Sequence, residues 1–423
     1  MYARLSHYSW ALLGTASLIL FFNTGTRFAF GVLLKPMQED LGWSRSSLSL
    51  AMALNMFISA LALPLVGRIL DRYSMRWALA GAVVIASVGM GLLGWANSMW
   101  QFFLLYGVVL ALGIAGCSVS PVSVLVSRWF RRGKGLANSI AISGGAAGQL
   151  VVIAVLASFL LALGWRYAYS ILGLSMLVVV LPLVILVIPS RAPGSRPIDL
   201  TQQTPTEPIP QADTSLEPFH RESLRMALGS RTFPLLAVTY FICGFQDWFV
   251  GTHLVAFATD EGMGKVLAGN LVALMGIMGM AGVLLAGYLA DAYGPAWPTA
   301  ASFLFRIAIF SLIIGSRSTP AIITFALLYG FTFFMTAPLI PLFVARFFGT
   351  TRLGALTGII AMIHQMGGGL GAYVGGVMFD RLGDYYWAMV TAFAMSLVAT
   401  VTSVLLLGRQ SPQMAQLPEP VDR

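Results

Sequence analysis

Apolar runs of about twenty residues, the length an α-helix needs to cross the hydrocarbon core of a bilayer, recur from end to end of this 423-residue chain. Twelve helices are expected, at 9–34, 46–68, 76–96, 100–127, 135–162, 166–188, 235–257, 266–290, 297–315, 320–345, 354–380 and 386–408. Charged residues make up only 10% of the chain and hydrophobic ones 58%, whereas a soluble domain carries about 25% charged residues. A large soluble core is excluded, and an all-α polytopic membrane protein in contact with the lipid bilayer is expected. Met1–Tyr8 is short and polar and the first apolar run is long enough to span, so no cleaved signal peptide is expected. Cys117 and Cys243 both fall inside apolar runs, which argues against a disulfide framework.

The net charge of +9 raises nucleic acid as a partner, and its distribution argues against it. With the N-terminus inside, 17 of the Lys and Arg residues fall on cytoplasmic segments, 6 on outer loops and 2 within helices. That is the positive-inside bias that orients a membrane protein, so no nucleic-acid partner is expected.

Sliding the sequence by 220 residues lays Phe241–Met263 on Phe21–Trp43, matching Phe21, Gly31, Asp40 and Gly42 with Phe241, Gly251, Asp260 and Gly262. Leu104-Leu105-Tyr106-Gly107 returns as Leu327-Leu328-Tyr329-Gly330, and Arg128-Trp129-Phe130 as Arg346-Phe347-Phe348. Gly135 and Gly148 match Gly354 and Gly367. Four matches in order, at offsets of 218–223, indicate an internal repeat of the kind transporters are built from. The halves are expected at 1–188 and 234–408, each a six-helix bundle, with a linker at 189–233 and a tail at 409–423. Pro189–Arg231 holds seven prolines, and such composition buries too little apolar surface to pack alone. Within it Leu216–Leu228 has helical spacing suited to the membrane surface, and the Pro/Gln-rich tail is expected to be disordered.

Ionisable groups at mid-membrane cost at least ~2.5 kcal/mol even on the lenient insertion scale, so the few within the apolar runs are candidates for function. Arg27 shares a helix face with Asn23 and Gly31, and the 220-residue shift lays it on Asp247, which shares a face with Cys243 and Gly251. The reading is an Arg27–Asp247 pair across the interface between halves. Arg27 would offer a planar fork to a substrate carboxylate and Asp247 would take up a proton; a fixed bridge is the alternative. Gln246 and His253 lie on one face of the seventh helix, and His253 is a candidate proton relay. His364 and Gln365 open the glycine-rich part of the eleventh helix. Arg306 sits at the centre of the ninth, either as a structural hydrogen-bond donor or as an anion ligand. Tyr106, Tyr329 and Tyr373 could donate hydroxyls to a carboxylate, and Asn138 and Gln149 could line the path through the N-terminal half. Gly67, Arg68, Asp71 and Arg72, with Asp291 at the matching place, form a candidate conformational gate: glycine for close helix contact, charges for bonds across the cytoplasmic face. HExxH, CxxC and Walker-type loops are missing, so neither an enzyme nor a cofactor or metal is expected.

Six-plus-six helices, a basic central linker and the turn GRILDRY (67–73) resemble the major facilitator superfamily. FGVLLKPMQEDLGWSRSSLS, CGFQDWFVGTHLVAFATDEGM and HQMGGGLGAYVGGVMFDRLGDY are similar to its monocarboxylate transporter and oxalate/formate antiporter branch. The resemblance implies a carrier of a small organic anion, a mono- or dicarboxylate, working by alternating access with protons or a counter-anion. It implies residence in a bacterial inner membrane, cytoplasmic termini and action as a monomer. It also implies a cation in the eighth helix, yet 266–290 has none; the cation comes from elsewhere or the substrate differs. An exporter of a bulkier amphipathic compound, suited by 27 Phe and 10 Trp, and a non-transporting receptor on the same scaffold remain the alternatives.

Overall fold

The computed structural model describes residues 2–130, 134–189, 228–349 and 353–409. Most of the expected linker, its Leu216–Leu228 segment and nearly all of the tail lie outside the described residues. Among the described residues all regular structure is helical. The N-terminal half comprises α1 (Tyr2–Leu41), α2 (Arg45–Arg72), α3 (Met75–Leu93), α4 (99–129), α5 (134–163) and α6 (Trp165–Val187). The C-terminal half comprises α7 (Phe233–Asp260), α8 (Lys265–Tyr293), α9 (Ala296–Gly315), α10 (319–348), α11 (Leu353–Leu382) and α12 (Tyr386–Gly408). Ten of these are long and apolar enough to cross a membrane. α10 is split into two shorter apolar helices, Thr319–Phe333 and Leu339–Phe348, and α11 is a 30-residue helix that carries His364 and Gln365.

The repeat is visible as repeated physical contacts. A Cβ built on Gly148 of α5 would lie 2.0 Å from the Phe21 carbonyl oxygen of α1, and one on Gly367 of α11 would lie 2.2 Å from that of Phe241 on α7. Only glycine admits such backbone approach. Both α1 and α7 end at matching glycines with positive φ, Gly42 at 65° and Gly262 at 88°. The fourth and tenth helices break at matching places as well. α4 stops at Cys117 and resumes at Val119, two residues before Pro121; α10 stops at Phe333 and resumes after Pro338. Proline lacks the N–H that the helical ladder needs and its ring clashes with the preceding turn, so the continuous helices expected from hydropathy are interrupted.

α1 continues through Pro36 to Leu41, past its expected end at residue 34, and the turn to α2 shrinks to residues 42–44. Ser44 caps α2 by accepting from the Ser47 N–H.

The halves meet where α1 crosses α7, α2 lies on α11, and α5 lies on α8. At the first crossing a Cβ on Gly31 would sit 2.2 Å from the Gly251 carbonyl oxygen. At the second, Gly376 is packed on Arg45 and Ser46, Gly369 on Ala53 and Gly368 on Met56. At the third, Gly269 touches Ala157 and Gly276 touches Ala146. These contacts lie toward the end that carries the α1–α2 turn, called here the loop end. Toward the other, terminal end, where α6 ends and α7 begins, Gly67, Gly287 and Gly358 have open space where a Cβ would stand. The halves therefore touch over the loop end and part toward the terminal end. The close helix contact expected at Gly67 is not made in this arrangement. Arg68, Arg72 and Asp291 are exposed, and the side chain of Asp71 lies outside the described residues.

Candidate functional site

Arg27 and Asp247 lie one helical turn to the terminal side of the Gly31–Gly251 crossing, at matching depth in the two halves. They do not pair, which corrects the sequence reading. Asp247 is 3% exposed. Its Oδ1 accepts from Arg306 Nη2 at 2.8 Å and from the Tyr329 hydroxyl at 3.0 Å. Its Oδ2 accepts from Cys243 Sγ at 3.5 Å and lies 3.6 Å from His364 Nε2. The helix-7 face that carries Asp247 turns into its own half, toward α9 and α10, and Arg306 reaches it from there.

Arg306 is fully buried. Besides Asp247 it donates to Gln246 Oε1, to the Thr332 hydroxyl and to the Thr332 carbonyl. Its guanidinium lies over the Tyr329 ring, 4.8 Å from the centroid. Gln246 in turn donates to the Ala392 carbonyl and Ser396 hydroxyl of α12, both at 2.7 Å. Arg306, Gln246 and Tyr329 are thus committed to a satisfied network inside the C-terminal half and cannot also meet a substrate. A buried pair keeps its charge only when its remaining donors and acceptors are filled, and here they are. Asn23 is likewise withdrawn, donating to the Ile114 carbonyl at 2.9 Å inside the N-terminal half. Tyr106 is buried against Met52, and Gln149 donates across the interface to the Val272 carbonyl. The three ligand atoms of Cys243, Asp247 and His364 lie within 4.8 Å of one another. Arg306 already neutralises the carboxylate, so this donor set suits a proton better than a dication.

Arg27 is different. It is half-buried, and no carboxylate lies within ion-pair distance of it among the described residues. Its Nε is buried without a partner. With the Gln365 amide oriented so that its oxygen faces the guanidinium, that oxygen accepts from Nη2 at 3.0 Å and Nη1 at 3.2 Å. The guanidinium lies 5.5 Å from the Trp248 ring centroid, and Trp248 stacks on Phe28 at 5.5 Å and 21°. His364, its side chain 24% exposed, and Gln365 follow each other on α11 between these two groups. Tyr373 is half-buried two turns further along and makes no hydrogen bond among the described residues.

His253 lies deeper, under the loop end. Its Nε2 faces the Ala372 carbonyl at 2.7 Å and so carries the hydrogen, leaving Nδ1 to accept from the Tyr385 hydroxyl at 3.0 Å. That hydroxyl accepts from Arg45 Nη1 at 2.8 Å. His253 is a link in the seal of the loop end and not a group exposed to substrate. The rest of this seal escaped the sequence reading. Arg45, 3% exposed, donates to Asp260 through Nη1 at 2.5 Å and Nη2 at 3.1 Å, and to Gln38 at 2.7 Å. Lys35 meets the same Asp260 at 2.7 Å. The backbone N–H groups of Arg45 and Ser46 donate to Asp380. A signal was available: the shift that lays Asp40 on Asp260 also lays Arg45 on Lys265, and Lys265 pairs with Glu39 in return, at 3.2 Å.

The chain matches the family model described as Major Facilitator Superfamily, over residues 16–372 and 236–421. The chain belongs to the major facilitator superfamily. It is 29% identical over 394 residues to a protein of Bacillus subtilis (strain 168) described as "Uncharacterized MFS-type transporter YcxA", covering 91% of this chain and 92% of that one. It is 26% identical to monocarboxylate transporter 12 of Rattus norvegicus, over 77% of this chain and 69% of that one. Among solved structures, a bacterial homolog of the human lysosomal transporter Spinster, inward-facing and unoccupied, superposes with a TM-score of 0.77. It shares 16% identity and covers 96% of this chain and 99% of its own. The superfamily member is thus a multi-pass membrane transporter of two six-helix bundles, with monocarboxylate-transporter-like relatives, and its relatives are not enzymes.

Proposed function

We propose that this carrier moves a small organic anion, a mono- or dicarboxylate, and that Arg27 is the cation that meets it. The observation that carries this is an unneutralised guanidinium in the space between the halves, while Arg306 consumes the carboxylate at the same depth. A buried or half-buried charge without a counter-charge is expensive, and an arriving carboxylate supplies one in the bidentate geometry a guanidinium favours. The relative named as a monocarboxylate transporter supports the same substrate class. The positive-inside count supports a cytoplasmic terminal end; on that reading the parted arrangement faces inward, and the bacterial relative supports a bacterial inner membrane. Both walls of the site come from one chain, which suits a carrier that works as a monomer. Coupling to protons would use the Asp247–His364 contact, because His364 is the member of that network that is exposed between the halves.

The test is uptake of a panel of labelled mono- and dicarboxylates into proteoliposomes, with and without an inward proton gradient. Arg27→Gln should abolish uptake while the inserted amount stays constant, and uptake at unchanged affinity rejects the role. Asp247→Asn should remove the response to the gradient.

A further inference from the structure

We infer that Gln365 is a built-in stand-in for the transported carboxylate, a neutral internal competitor that substrate must displace from Arg27. This rests on the anion reading of Arg27 and goes beyond it. With the Gln365 amide turned so that its oxygen faces Arg27, the orientation that satisfies both groups, that oxygen receives both terminal nitrogens of the guanidinium, at 3.0 and 3.2 Å, the fork that a carboxylate would otherwise fill. The amide oxygen accepts one N–H from each of those nitrogens and leaves the guanidinium charge uncompensated. Exchange for a carboxylate is therefore electrostatically favourable, and no acidic side chain has to be pulled away first.

Position gives the exchange a mechanical consequence. Arg27 stands on α1 in the N-terminal half and Gln365 on α11 in the C-terminal half, on the parted side of the Gly31–Gly251 crossing. Their bond is a polar tie between halves at the depth of the site. The α11 backbone on either side is held tightly to α7. A Cβ on Gly244 would lie 1.9 Å from the His364 carbonyl oxygen, and one on Gly367 would lie 2.2 Å from that of Phe241. The Gln365 side chain can therefore swing away while its backbone stays in place. Substrate arrival replaces a contact between halves with a contact to the ligand, which links occupancy to the freedom of the halves to rock.

Two substitutions separate this role from an ordinary ligand contact. Gln365→Ala removes the competitor and both of its hydrogen bonds to Arg27, and carboxylate binding should tighten by at least about tenfold. Gln365→Glu installs a permanent carboxylate on Arg27, and binding should be lost. Equilibrium binding of labelled pyruvate, oxalate and benzoate to the full-length carrier reads both. In parallel, spin labels at Gly67 and Gly287, which face open space, report the distance between halves without ligand. That distribution should broaden in Gln365→Ala and narrow in Gln365→Glu. Unchanged or weaker binding in Gln365→Ala overturns the inference while leaving Arg27 as a ligand contact. Binding of none of the three probes by the unsubstituted carrier sinks the anion reading instead. In that case the distances still decide: identical distributions in both variants show that the tie between halves has no role.

Discussion

Neutralising Asp260 should open the loop end. Its carboxylate, 25% exposed, receives Arg45 through two nitrogens and Lys35 through one, at 2.5, 3.1 and 2.7 Å. Both cations belong to the N-terminal half and Asp260 to the C-terminal half, so all of this attraction exists only while the halves touch. Removing one partner of a buried ion pair costs about 3–5 kcal/mol. Asp260 is partly hydrated, and Arg45 keeps Gln38 and the Tyr385 hydroxyl as acceptors, which places Asp260→Asn near the lower bound. At ~1.4 kcal/mol per tenfold, about 3 kcal/mol moves the closed-to-open ratio by roughly a hundredfold. Ser49 offers the reporter: it is fully buried on the α2 face packed against α11, one turn below Arg45. In a chain whose two native cysteines are replaced by serine, a Ser49→Cys thiol should react with a membrane-impermeant maleimide about a hundredfold faster once Asp260→Asn is added. Glu39→Gln provides the control. Its partner Lys265 is 57% exposed and Glu39 is 50% exposed, and pairs so hydrated contribute little, so the rate should stay put. A rate unmoved by Asp260→Asn in a folded carrier would refute the seal.

Two further outcomes concern stability. Arg306→Met should cost about 3–5 kcal/mol by stranding the Asp247 carboxylate, and adding Asp247→Asn should restore most of it; thermal unfolding of the purified carrier compares the single and double variants. Gly31→Ala should lower the unfolding temperature, because its Cβ meets the Gly251 carbonyl at 2.2 Å. Gly67→Ala, with open space at its Cβ, should be neutral or gain up to ~1 kcal/mol from helix propensity; a larger loss at Gly67 than at Gly31 would contradict the packing described.

Matches found by sliding the sequence on itself became equivalent contacts. Phe21 and Phe241 lie under Gly148 and Gly367, Gly31 and Gly251 meet each other, and Gly42 and Gly262 end their helices alike. The site was less legible. Arg27 and Asp247, matched by the repeat, do not meet each other: Asp247 takes Arg306 and Arg27 takes Gln365. Equal position in a repeat fixes how deep a residue sits; it leaves open which neighbour the helix face turns toward. Each residue along a helix rotates by about 100°, so a small rotation moves a side chain from the interface into its own bundle. Asp247 turned toward Arg306, 59 residues away on a helix that hydropathy shows only as apolar.

Sequence by itself determined the helical membrane class, the two related halves and the depth of the charged residues. These follow from length, hydropathy and repetition, properties each segment carries alone. Tertiary structure decided the pairings: Asp247 with Arg306, Arg27 with Gln365, and Arg45 with Asp260 and the Tyr385–His253 chain. In a low-dielectric interior each buried charge must find its partner within a few ångströms. Which partner stands there is set by helix rotation and by glycine-controlled approach, and both exist only once the helices are packed.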